Sequence, residues 1–168
     1  MGLIGVIMGS DSDYKIMEEA MKVLRQFELD FEVKISSAHR TLERTVEWVK
    51  DFEAQGGKLI IAAAGLAAHL PGVVAGATIL PVIGVPLSSG AMEGIDALYS
   101  IVQMPPGIPV ATVGIGAARN AALLAVQILA IQDEALSMKV KDFRAQMLKD
   151  IEAKDEALQK RLSDGNYN

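Results

Sequence analysis

Residues 3–13 read LIGVIMGSDSD, and this stretch decides the fold. Its first half, Leu3–Met8, is an apolar run with the length of a buried strand, and its second half is a Gly-Ser-Asp turn that leads directly into a helical pattern. Four further apolar runs follow, at Phe31–Ser36, Lys58–Ala64, Pro81–Val85 and Val110–Ile115. Short strands that alternate with helices indicate repeated βαβ crossovers and therefore a parallel sheet.

Helical periodicity fills the intervals between these strands. It covers about Tyr14–Phe27, Leu42–Gln55, Pro71–Thr78, Gly94–Gln103 and Asn120–Ile131. Five parallel strands with right-handed crossovers most simply give an α/β, flavodoxin-like three-layer sandwich with a sheet of order 2-1-3-4-5. In that order strands one, two and three are neighbours, so the loops at their carboxyl ends meet where such sheets bind ligands.

The composition fits one such domain with a helical appendage. Of the 168 residues 51% are hydrophobic but only 5% aromatic, which suits an aliphatic core of buried parallel strands. Residues 1–132 are expected to form the catalytic domain. Residues 133–168 are highly charged with an apolar stripe, which predicts a long C-terminal amphipathic helix. The stripe needs a surface, and the residues alone leave open whether its own domain or a neighbouring subunit supplies it.

Several classes of function are disfavoured. The chain has no cysteine, which excludes disulfides, thiolate nucleophiles and cysteine-based metal sites. The net charge is -5 and no lysine and arginine cluster is present, so we expect no nucleic-acid partner. No apolar run reaches the ~18 residues of a membrane span, so we expect a cytoplasmic protein with no membrane partner. No metal-ligand spacing, GxGxxG or Walker motif occurs, so we expect no metal and no cofactor.

The turn after the first strand offers groups that can bind an anion. Residues 9–13 present backbone N–H groups, two hydroxyls and the positive end of the following helix. Ser10 and Ser12 suit a phosphate, whereas the carboxylate of Asp13 repels phosphate and suits the hydroxyl groups of a sugar. The same residues also make an ordinary helix cap, and the turn alone does not decide between the two interpretations.

Both histidines of the chain fall in loops that the sheet order brings together. His39 and Arg40 follow the second strand, and His69 follows the third. A histidine can accept and donate a proton near neutral pH, and a guanidinium suits a phosphate or a carboxylate. We therefore expect His39 to take part in function. For His69 the alternative is a structural histidine that bonds a neighbouring loop.

Five motifs in succession within residues 3–131 carry a family resemblance. They are GSDSD at 9–13, SAHR at 37–40, AAHLPG at 67–72, SIVQMP at 100–105 and NAALLA at 120–125. Together they resemble the N5-carboxyaminoimidazole ribonucleotide (N5-CAIR) mutases of purine biosynthesis. The resemblance implies an isomerase that converts N5-CAIR to 4-carboxy-5-aminoimidazole ribonucleotide (CAIR), a step toward IMP, without ATP, metal or other cofactor.

The resemblance also implies residue roles and an assembly. His39 would carry the proton, and the substrate-binding residues would be Ser10, Ser12, Asp13, Ser37, Ala38, Arg40, Gly65, Ala67, His69 and Leu70. An arginine at position 40 separates the mutases from related carboxylases that use free carbon dioxide and typically carry lysine there. The chain departs from the family pattern at Leu66, where glycine is frequent, and in a shorter stretch 114–119. Family members are octamers with pockets at subunit contacts, which implies that residues 133–168 pack on a neighbouring subunit.

Three other classes of protein fit the sequence less well. A phospho-receiver needs an aspartate at the end of the third strand, where this chain has Ala64-Gly65. A flavodoxin stacks aromatic side chains on its flavin, and the only tryptophan, Trp48, lies inside the second predicted helix. A purely structural assembly protein would explain the tail helix but not the two histidines in converging loops.

Overall fold

The computed structural model describes residues 2–164 and contains one parallel sheet of order β2-β1-β3-β4-β5, which confirms the predicted flavodoxin-like topology. The strands are β1 (Ile4–Met8), β2 (Phe31–Ile35), β3 (Leu59–Gly65), β4 (Val82–Leu87) and β5 (Ala111–Thr112). The helices are α1 (Tyr14–Gln26), α2 (Leu42–Ala54), α3 (Leu70–Ala77), α4 (Ile95–Val102), α5 (Ala118–Ala130) and α6 (Glu134–Ser163). Every strand except β5 and every helix lies within a few residues of its predicted range.

The central strands are buried on both faces, which explains their continuous apolar sequence. All five residues of β1 are buried, and β3 is buried up to its last residue. Successive side chains of a strand point to opposite faces. Ile60 of β3 accordingly packs in one core cluster with Phe52 of α2 and Ile101 of α4, whereas the next residue, Ile61, is buried on the other face. The buried residues of α1 and α5 are absent from that cluster, as expected if these helices cover the second face.

Strand β5 is much shorter than the predicted Val110–Ile115, so that prediction is wrong in length. The amide of Val113 donates to the carbonyl of Gly84 at 3.1 Å, and that of Gly116 donates to the carbonyl of Pro86 at 2.8 Å. The chain therefore still runs beside β4. In a strand the N–H and C=O of one residue point to the same side, so the missing N–H of Pro86 lies on the β5 side and the ladder cannot continue.

Beyond Leu129 the chain forms a second compact unit, which begins at Ala130. Its helix α6 spans 30 residues, as predicted for the charged tail, and its start is capped by Asp133, whose carboxylate accepts the amide of Leu136 at 2.9 Å. Lys160 and Arg161 lie in its last turn, where positive charge complements the helix dipole. Within the described range no helix is both long and apolar enough to span a bilayer. The end of the predicted extension, residues 165–168, lies outside that range.

A glycine in β4 lets α4 lie directly on the sheet. A Cβ on Gly84 would come within 2.4 Å of Cγ2 of Ile101 and 2.8 Å of Cγ1 of Val110. These distances are far below van der Waals contact, so any side chain at position 84 must push the helix away. Gly76 lies in the exposed part of α3, and a Cβ added there would have no atom within 4 Å beyond its own stretch of helix.

We expect Gly84→Ala to lower the free energy of unfolding by about 1–3 kcal/mol because it overpacks the contact between α4 and β4. Gly76→Ala is the matched control, and it should raise stability by about 0.5–1 kcal/mol because alanine favours the helix. Urea unfolding of both variants measures the difference. Equal midpoints for the two would contradict this account of the packing.

Candidate active site

The turn after β1 is tied together by its own side chains. Ser10 is the N-cap of a short 3₁₀ helix, Asp11–Asp13, which the sequence does not predict and which runs directly into α1. The hydroxyl of Ser10 accepts the amide of Ser12 at 3.3 Å, and the carboxylate of Asp13 accepts the amide of Ser10 at 3.1 Å. The expected cap therefore exists as a reciprocal capping box. It also holds both serine hydroxyls at the edge of the sheet.

The carboxylate of Asp13 is partly buried at this edge of the sheet. Burial raises the pKa of Asp13 above its ordinary value, and hydrogen bonds from Ser10, Ser12 and the backbone of Gly9 offset part of that rise. A half-desolvated carboxylate gains from any further hydrogen-bond donor that approaches it. A neutral hydroxyl is such a donor, whereas an anion would raise the energy of the charged form.

The loop after β2 is a turn that presents His39 and Arg40. The guanidinium of Arg40 donates to the hydroxyl of Ser37 at 3.4 Å through Nε and to the carbonyl of Gly9 at 3.2 Å through Nη2. The second contact joins this loop to the turn after β1. No carboxylate of residues 2–164 pairs with Arg40, so its remaining N–H donors and its full charge are open to an anion.

The two histidines are in direct contact. Nε2 of His39 lies 2.6 Å from Nδ1 of His69, and the rings meet edge to face with centroids 4.7 Å apart. A hydrogen bond of this kind holds one proton between the two nitrogens, so the two rings must adopt complementary tautomers. The two loops therefore meet as expected, and His69 bonds the neighbouring loop through His39.

The loops after β3 and β4 close the remaining side. A Cβ on Gly65 would lie 2.4 Å from Oγ of Ser89, so glycine at this position lets the fourth loop approach. Leu66 has φ 55, in the left-handed region that favours glycine, which is the residue that the family pattern often has there. Here the position instead presents a leucine side chain, 54% exposed, to the cavity.

All of these loops line one cavity of about 520 Å³, a size that suits a small ligand. Its lining contains every residue predicted for the site: Ser10, Ser12, Asp13, Ser37, Ala38, His39, Arg40, Gly65, Ala67, His69 and Leu70. It also contains residues that were not predicted as binding residues, namely Gly9, Ala64, Leu66 and Ser89. Ser89 follows the carboxyl end of β4, which is the signal that could have identified it. Within residues 2–164 no group of three or more His, Asp or Glu side chains could hold a metal ion.

The fold and the cavity define a flavodoxin-like α/β protein with one guanidinium, two imidazoles and several hydroxyls at the carboxyl edge of its sheet. Residues 3–150 match the family model described as AIR carboxylase, and the chain belongs to that family. This confirms the resemblance seen in the motifs.

Relatives and a solved structure agree with that assignment. The N5-carboxyaminoimidazole ribonucleotide mutase of Pyrococcus abyssi is 58% identical over 147 residues, which are 88% of this chain and 84% of that protein. The protein of the same name from Methanocaldococcus jannaschii is 53% identical, over 92% of this chain and 96% of its own length. The crystal structure of Treponema denticola PurE superposes with a TM-score of 0.87 at 34% identity, covering 94% of this chain and 99% of that one.

Proposed function

We propose that this protein catalyses the conversion of N5-CAIR to CAIR, as an isomerase of purine biosynthesis. The similarity to curated mutases extends over most of both chains, at 58% and 53% identity for the two relatives above. The observation on which the proposal rests is that one cavity contains an arginine with no ion-pair partner within residues 2–164, two serine hydroxyls, a partly buried carboxylate and a histidine. A phosphorylated sugar attached to a base that exchanges protons requires all four kinds of group.

The ribonucleotide would be held by the first two loops. The hydroxyls of Ser10 and Ser12 would donate to the phosphate, since the amides of both serines are already bonded within the turn. The guanidinium N–H donors of Arg40 that the protein leaves unused would donate to the phosphate as well. The carboxylate of Asp13 would accept from ribose hydroxyls, which its raised pKa and its burial favour. These contacts to the phosphate and ribose lie far from the reacting atoms, and their binding energy would fix the position of the imidazole ring of the substrate.

The chemistry requires one proton to leave carbon and one to reach nitrogen. Cleavage of the N–C bond of the carbamate releases carbon dioxide and leaves its electron pair on nitrogen, which takes up a proton. The ring carbon then attacks the carbon dioxide and must lose its own hydrogen to restore aromaticity. His39 would give the first proton and take the second, so its imidazole ends the cycle as it began.

The wall of the cavity would retain the carbon dioxide between the two steps. Ala67 and Leu70 line it on the side of β3, together with the exposed side chain of Leu66. Apolar side chains in contact with the reacting end of the substrate exclude water, and they leave a released carbon dioxide molecule beside the ring carbon that captures it. Ser37, Ala38, Gly65 and His69 would complete the contacts with the substrate.

A direct carboxylase is the second candidate, because the matching family model is described as AIR carboxylase. Such an enzyme would take 5-aminoimidazole ribonucleotide and free carbon dioxide to the same product. Arg40 favours the mutase, since the resembling carboxylases typically carry lysine at this position. The two reactions differ in the substrate that is consumed, so one spectroscopic assay separates them.

The purified full-length chain should convert synthetic N5-CAIR to CAIR, followed by ultraviolet absorbance, without added metal or nucleotide. With aminoimidazole ribonucleotide plus bicarbonate the rate should be far lower, because the site is organised to receive a carboxylated nitrogen. A faster reaction with bicarbonate would establish the carboxylase instead.

His39→Asn tests the proposed proton carrier in the same assay. It should lower kcat by about 10²–10⁴-fold, the usual contribution of a positioned acid or base. Substrate binding should persist, because the groups assigned to the phosphate and ribose are unchanged. Near-normal turnover of a folded His39→Asn variant would remove His39 from the proposed role.

Arg40→Ala should raise KM by about 10–100-fold, the loss expected when a charge-assisted hydrogen bond to an anion is removed. Arg44→Ala is the matched control, since Arg44 is an exposed residue of α2 outside the cavity lining. Steady-state kinetics on both variants make the comparison. An unchanged KM for Arg40→Ala, or an equal rise in both variants, would exclude the assigned contact.

We further infer that the chain acts in the cytoplasm as a homo-octamer, with no cofactor, nucleic-acid or membrane partner. Helix α6 supports the assembly, because its apolar side chains Met147, Ile151, Leu158 and Leu162 are exposed within the chain. The helical extension that begins at residue 133 would pack on a neighbouring subunit, and this contact would bury these side chains.

Light scattering should give eight times the chain mass for the wild type and a smaller mass for Ile151→Glu/Leu158→Glu, because charges in an apolar contact separate subunits. Ala153→Glu/Ala157→Glu adds the same charge on the opposite side of α6, and it should leave the mass unchanged. If the first variant keeps the wild-type mass, these side chains of α6 do not hold the subunits together.

A further inference from the structure

The turn that presents His39 and Arg40 lies on a cluster of hydroxyl groups. Ser36, 2% exposed, and Thr45, fully buried, are the only buried polar side chains that the structure shows within residues 2–164. Together with Thr41 they lie behind the turn, and none of the three lines the cavity. Burying a hydroxyl is unfavourable unless it is hydrogen-bonded, so this cluster needs a structural or functional reason.

The three hydroxyls form a continuous chain of hydrogen bonds. Oγ1 of Thr45 lies 2.8 Å from Oγ of Ser36, which lies 3.0 Å from Oγ1 of Thr41. The Thr41 hydroxyl donates to the carbonyl of Ser37 at 3.1 Å and accepts the amide of Ser37 at 2.9 Å. The Thr45 hydroxyl donates to the carbonyl of Thr41 at 3.1 Å. If the Ser36 hydroxyl donates to Thr45 while Thr41 donates to the Ser37 carbonyl, every hydrogen of the three hydroxyls has an acceptor.

The chain of hydroxyls bonds both ends of the turn. At its start, both the amide and the carbonyl of Ser37 are bonded to Thr41, and at its end the hydroxyl of Thr45 lies 3.1 Å from the carbonyl of Thr41. Thr41 precedes α2, but its side chain makes no cap bond to that helix. The hydroxyl points back to the turn instead, so its hydrogen bonds serve the backbone that carries His39 and Arg40.

We propose that the hydroxyl chain Thr45-Ser36-Thr41 positions His39 and Arg40 for the reaction proposed above, on which this inference rests. Thr45 lies a full helical turn beyond Thr41 and is absent from the cavity lining, so it acts only through the other two residues. Loss of its hydroxyl leaves Ser36 short of a buried partner, and the turn relaxes toward new partners. A displacement of about 1 Å in a reacting group can lower a rate about 10²-fold.

The test is Thr45→Val in the full-length chain, which keeps the side-chain shape and removes the hydroxyl. We expect kcat to fall about 10-fold or more with a rise in KM, because the proton carrier and the anion contact move together. Thr45→Ser should restore both constants. Val49→Ala is the matched control, since it removes fully buried volume one turn further along α2 without touching a hydroxyl. It should lower the melting temperature and leave kcat and KM near wild type.

A second measurement does not depend on turnover. The chain contains two histidines only, so the imidazole resonances of His39 and His69 can be assigned in a specifically labelled sample. Thr45→Val should shift both sets, because the rings are in contact and one of them moves with the turn. Val49→Ala should leave them in place. If wild type fails to consume N5-CAIR, the proposed function fails, and the resonances still test the positioning.

The inference is overturned if Thr45→Val keeps wild-type constants and resonances, or if Val49→Ala loses as much activity as Thr45→Val. Should Thr45→Val not fold, Ser36→Ala interrupts the same chain at its middle and carries the same expectations. A folded Ser36→Ala with unshifted imidazole resonances would be equally decisive against the proposal.

Discussion

The site depends on the parallel pairing of β1 and β2, whose last hydrogen bond joins the amide of Ser36 to the carbonyl of Met8 at 2.9 Å. Because the strands are parallel, both lead into their loops at the same edge of the sheet. Gly9 and Ser37 therefore start their loops side by side, and Arg40 can bond back to Gly9 across the gap. A register shift of one residue would turn every side chain of β2 to the opposite face and separate these loops.

Much of the fold and of the cavity could be predicted from the sequence because both follow from strand order. Continuous apolar runs identify strands buried on both faces, and a parallel sheet then decides which loops meet. The details that could not be predicted arise from contacts between distant residues or from single backbone angles. Pro86 shortens β5 only because its missing N–H falls on that side, and Leu66 adopts a positive φ that its residue type does not suggest. Likewise the contact between His39 and His69 joins residues 30 positions apart.

The negative net charge of the chain affects how an anionic ligand can be attracted. With a formal net charge of -5, the long-range field of the protein does not favour an anionic ligand, so attraction must arise within the cavity. Under the proposed function Arg40 would supply it, since no carboxylate of residues 2–164 lies within ion-pair distance of its guanidinium, and the hydroxyls of Ser10 and Ser12 would add donors without formal charge.

A proton carrier must be held in place while its own charge changes. The contact between His39 and His69 cannot provide this alone, because it depends on which ring nitrogens carry hydrogen and is lost when both do. The hydroxyls of Ser36, Thr41 and Thr45 do not change charge near neutral pH, so the bonds that hold the turn are the same before and after each transfer. In the mechanism proposed above, placement would therefore belong to groups that do not titrate and proton exchange to His39, so that the turn stays rigid while the imidazole reacts.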